Sequence, residues 1–144
     1  MSGQATAKRA LQVLITKGYI APTGTERRNL AMAFAGKGKV VYGKAFDAAR
    51  ISGAYLDLTS LSDLTDRLGD VTLFEVKSTD RQLDPNFNGH FFSLSTAELL
   101  VAQSLRDQFG FLFVNVNTQA VMEMSLQDLF GRAKAIYPSW SVQF

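Results

Sequence analysis

Nine residues, Val71-Thr-Leu-Phe-Glu-Val-Lys-Ser-Thr79, constrain the fold of this chain more than any other segment. The run is rich in β-branched and aromatic groups. Its alternation sends Val71, Leu73, Glu75 and Lys77 to one face of a strand and Thr72, Phe74, Val76 and Ser78 to the other. Two further apolar runs, Phe111–Val116 and Ala120–Met124, flank Asn117-Thr-Gln119 and predict a hairpin. Ala54-Tyr-Leu-Asp-Leu-Thr59, short and partly aromatic, predicts another strand upstream.

Helices are marked by their ends. Ala5–Lys17 places Ala10, Leu11, Leu14 and Ile15 at helical spacing and stops at Gly18. Thr23-Gly-Thr-Glu26 and Ser95-Thr-Ala-Glu98 both have the capping-box form, in which hydroxyl and carboxylate satisfy each other's orphan backbone donors. Leu30, Ala33 and Phe34 form the apolar side behind the first box, closed by Gly36-Lys-Gly38; Leu99, Leu100, Ala102 and Leu105 follow the second, with Gly110 beyond the end. Ser60–Gly69 groups Leu61, Leu64 and Leu68 on one helical side, and Ser125 caps a last helix to about Ala135. The aromatic tail 137–144 is expected to pack back on the body, and Phe91, Phe92, Phe109, Phe111 and Phe113 are expected in the core. The order gives an α/β (α+β) chain: a mixed central sheet flanked by helices, as one domain over 1–144 whose first fifty residues form a basic helical part.

One core suits 144 residues with 47% hydrophobic content, and without cysteine there is no disulfide to staple it. The polar start and the absence of a long apolar run point to an intracellular, cytoplasmic protein that does not cross a membrane. The charge is uneven. Residues 1–50 carry nine Lys/Arg against two acids, or +7, and residues 51–144 carry six against eleven, or −5. Such a division suits a polyanion met by the basic half while the acidic half holds a cation.

Gly38-Lys-Val-Val-Tyr-Gly-Lys-Ala45 approaches the phosphate-loop pattern but fails where a hydroxyl must meet magnesium, since that place is Ala45. Glu75 and Lys77 carry the stronger signal. Two residues apart on one strand face, they lie about 6–7 Å apart along the backbone. The carboxylate suits a hard divalent cation, the carbonyl of Val76 supplies another oxygen, and the lysine orients or deprotonates water and offsets phosphate charge. Glu26 and Glu98 already serve as capping residues, which is the favoured role for both. His90, a lone loop histidine, is left out of the site.

Phe74-Glu-Val-Lys-Ser-Thr79, with Asp57 on a strand upstream and a helix and two strands downstream, resembles the PD-(D/E)xK nuclease superfamily, the restriction-endonuclease-like fold, over about residues 54–124. The resemblance implies a Mg2+-dependent (or Mn2+-dependent) endonuclease that hydrolyses phosphodiester bonds in DNA, with Glu75 as metal ligand and Lys77 as catalytic lysine. An upstream acid completes such a site, yet no Pro-Asp pair is present. Asp57 is the first choice, flanked by Leu56 and Leu58, and Asp63 takes its place if residues 60–66 are extended; Asp66 and Asp70 also precede Glu75, and Asp70 would face the opposite side of the strand. Arg27, Arg28, Lys37 and Lys39 are the expected nucleic-acid contacts. Double-strand cutting by so small a domain would require a homodimer. The alternatives are a catalytically inactive nuclease-fold module that binds nucleic acid or a protein partner, and a structural interaction domain.

Overall fold

The computed structural model describes residues 3–144. Four strands form one sheet in the order β1-β2-β3-β4: β1 (Ala48–Ile51), β2 (Val71–Thr79), β3 (Phe109–Asn115) and β4 (Val121–Met124). β1 runs antiparallel to β2, β2 parallel to β3, and β3 antiparallel to β4, so the sheet is mixed. The parallel step needs a crossover, and helix α4 (Thr96–Leu105) provides it. The remaining helices are α1 (Gly3–Thr16), α2 (Gly24–Gly36), α3 (Leu61–Asp66) and α5 (Leu126–Arg132).

The alternation of β2 decides which helix lies where. Phe74 and Val76 join Leu112 and Val114 of β3 beneath Ala10, Val13 and Leu14 of α1. Val71 and Leu73 face the other way, where Phe109, Phe111 and Phe113 meet Leu30 and Phe34 of α2, Leu64 of α3, Val101 and Leu105 of α4 and Leu129 of α5. The sheet is therefore covered on both faces. Phe74 stands opposite Gly110 in the register, and a Cβ at Gly110 would lie 3.1 Å from the Phe74 ring and 3.3 Å from the carbonyl oxygen of Met124. Close approach favours glycine there, since any side chain would press on that ring and that oxygen.

Several expectations change. Residues 54–59 form no strand. The edge strand is instead Ala48–Ile51, which has little intrinsic β preference and is held by its pairing of Ala48 with Phe74 through Ile51 with Val71, and by a two-way bridge between Ile20 and Ala49. The first fifty residues are accordingly two helices, a loop and a strand. Gly110 lies beyond the end of α4, as expected, and inside β3, which starts two residues before the expected Phe111. The tail does not pack back: Tyr137 is 72% and Trp140 91% exposed, and Phe91 stands 73% exposed while Phe109, Phe111 and Phe113 are buried. Among the described residues no helix is long and apolar enough to cross a membrane.

Candidate active site

Beyond Leu73 the face of β2 that meets α2, α3, α4 and α5 turns from apolar to charged. Glu75 and Lys77 occupy it, both largely buried, with Lys77 Nζ 3.5 Å from Glu75 Oε1. Helix α4 brings the next partner. Ser95 caps it by accepting from the Glu98 amide, Glu98 Oε1 accepts from the Ser95 amide at 3.1 Å, and the same oxygen accepts from Lys77 Nζ at 2.8 Å. Glu98 thus fulfils its capping role and holds the lysine as well.

The second carboxylate comes from Asp47, immediately before β1. Its amide donates at 2.7 Å to the carbonyl of Phe74, the residue that already pairs with Ala48, and its Oδ2 accepts from the amide of Val76 at 3.0 Å. An extended residue projects its N–H and C=O to the same strand edge, so the Val76 carbonyl faces the side where Asp47 stands. Sequence reasoning missed Asp47. A signal was present: in Ala45-Phe-Asp-Ala-Ala49 a single acid interrupts an apolar run whose other four members are all buried.

Burial, the charge of Asp47 and the charge of Glu98 push the Glu75 carboxyl up to about 9, and Lys77 offsets this only in part. Glu75 Oε2 is buried and accepts from no N–H donor among the described residues, and the Asp47 carboxyl lies within hydrogen-bonding reach of the Glu75 carboxyl. A buried carboxylate with an unsatisfied oxygen beside a second acid is stabilised by a proton or by a cation. The donor set fits a hard divalent ion that keeps most of its waters: two carboxylates and one main-chain carbonyl, all oxygen. No group of three or more His, Cys, Asp or Glu gathers as a metal cluster among the described residues.

Asp57 lies elsewhere. Its carboxylate accepts from the amide and hydroxyl of Thr59, which hold it below the usual carboxylate range, and it is not among the charges acting on Glu75. Asp63 is exposed in the first turn of α3, Asp66 is exposed at its end, and Asp70 pairs with Arg67 at 3.1 Å. Glu26 closes the capping box of α2 with Thr23. Arg27 is committed to the fold, donating to the carbonyls of Gly43 and Phe46 and lying 5.0 Å over the Phe46 ring. Arg28 and Lys37 are exposed and Lys39 is partly so. His90 stacks on Phe92 and meets Phe87 and Phe113, where burial and then the charge of Arg81 lower its pKa.

No family model, curated protein or solved structure matches the chain.

Proposed function

We propose that this protein is a metal-dependent nuclease of the PD-(D/E)xK type, with a restriction-endonuclease-like arrangement, that hydrolyses phosphodiester bonds in DNA. The observation that carries this proposal is the pairing of Asp47 with Glu75, whose orphaned oxygen and raised pKa mark a place for positive charge. Asp47, Glu75 and the Val76 carbonyl would hold Mg2+ or Mn2+. That ion supplies Lewis-acid stabilisation of the scissile phosphate and a more acidic water.

The residues of the chain do the rest. Lys77, 3.5 Å from Glu75, places its ammonium beside the carboxylate, where it offsets charge developing on the phosphate and orients the attacking water. Glu98 is a positioning residue that fixes the lysine through its 2.8 Å contact. The surrounding apolar core keeps these charges in a low-dielectric setting, where each acts more strongly than in water.

A second reading rests on that same 2.8 Å contact. With its lysine already neutralised by Glu98, the constellation is also what a binding module without hydrolysis would retain. Incubation of single-stranded, duplex and branched DNA with Mg2+ or Mn2+ separates the two. Cutting that is lost in Glu75→Gln and Lys77→Ala, with DNA binding kept, supports the nuclease; binding without cutting under either metal supports the module.

A further inference from the structure

The loop that joins α2 to Asp47 concentrates positive charge. Residues 27–46 contain Arg27, Arg28, Lys37, Lys39 and Lys44 and no acid. The loop has no regular secondary structure from Lys39 to Tyr42, yet its main chain is held at several points, beginning with the Lys39 amide, which donates to the carbonyl of Phe34 at 3.0 Å. The Val40 amide donates to Ser104 Oγ of α4 at 2.7 Å, and Arg27 donates to the carbonyls of Gly43 and Phe46. It then enters the site directly, since Asp47 follows Phe46.

Between these anchors Tyr42 is 45% exposed, and Lys44 is exposed beside it. A pinned loop that holds an aromatic ring outward among lysines, next to a carboxylate pair, suits one class of ligand. Aromatic rings stack on bases without regard to sequence, but only on bases free of a duplex, while lysines follow the phosphates. We infer that residues 39–44 form a single-strand-binding element, in which Tyr42 stacks on an unpaired base and Lys39 and Lys44 hold the neighbouring phosphates. The choice of nucleic acid as ligand rests on the nuclease proposal; the preference for unpaired bases rests on the loop.

The test is fluorescence anisotropy in the presence of a chelator, with a labelled single-stranded oligonucleotide and the same sequence as a duplex. Tyr42→Ala is expected to weaken single-strand binding roughly five- to one-hundred-fold while duplex binding changes less than about two-fold, and Tyr42→Phe keeps both. Lys44→Gln is expected to weaken both substrates and reduce the salt slope by about one. Equal losses on both substrates for Tyr42→Ala, or no loss on either, overturn the inference. Because no metal is present, either result is independent of cutting. A Tyr42→Ala protein that still cuts normally and binds single strands normally sinks the loop but leaves the nuclease; selective loss of binding in a protein that never cuts does the reverse.

Discussion

The ammonium of Lys77 donates to the carboxylate of Glu98 across 2.8 Å, joining the charged face of β2 to the first turn of α4. One oxygen of Glu98 serves both this bond and the cap. Glu98→Gln keeps an acceptor for the Ser95 amide but removes the charge, and Glu98→Ala removes both. Losses of about 1–2 kcal/mol for the first and about 3–5 kcal/mol for the second are expected by urea denaturation. Equal losses would show that the charge pair alone matters, and no loss in Glu98→Gln that the cap alone does.

Cleavage assays distinguish the acid chosen from sequence from the one found in space. Asp47→Asn, Glu75→Gln and Lys77→Ala are each expected to lower the cleavage rate at least about a hundred-fold with the fold retained. Asp57→Asn is expected to cut at the wild-type rate, since its carboxylate only holds Thr59. A silent Asp47→Asn together with an inactive Asp57→Asn would reverse the assignment.

Stability should depend on pH through Glu75. Its carboxyl is raised from 4.5 to about 9 in the folded chain, so the folded state keeps a proton that the unfolded state releases. The resulting stabilisation is complete below about pH 4.5, declines as pH rises, and is gone above about pH 9. In metal-free melts from pH 5 to 9 the wild-type midpoint should fall, and Glu75→Gln should flatten that slope. Mg2+ at a hundred times its Kd should restore about 2.7 kcal/mol at pH 8 in wild type and not in Glu75→Gln.

Gly110→Ala forces a methyl group to 3.1 Å from the Phe74 ring and 3.3 Å from a main-chain oxygen. A loss of about 1–3 kcal/mol is expected by chemical denaturation. Phe74→Leu in the same chain should recover part of it, because the ring is the nearer neighbour.

Removal of residues 136–144 should shift the melting midpoint by less than about 2 °C, because Ile136, Tyr137, Trp140, Val142 and Phe144 are all exposed and bury little area. A large drop would restore the expectation that the tail covers the body.

The elements legible in the sequence were those with local causes. β2 declared itself by alternation, and α2 and α4 by capping boxes at Thr23 and Ser95 whose reciprocal bonds are present. Glu75 and Lys77 share a face because a period of two requires it. What escaped was set by partners far along the chain. Ala48–Ile51 becomes a strand because β2 offers it a ladder, and Asp47 reaches Glu75 only through that register. Leu56 and Leu58 are buried without being extended into a sheet, so the apolar flanks of Asp57 reported burial and not strand pairing.

β1 stops at Ala48 while β2 continues to Thr79, and the side chain of Asp47 takes the bond that the next main-chain carbonyl of a longer strand would have accepted. One acidic group therefore finishes a ladder and furnishes chemistry at once. Losing it strands an amide in the interior as well as emptying a ligand position, so architecture and reactivity are under joint constraint at this residue. An asparagine replacement, which can still accept from that amide, is the substitution that prises the two apart.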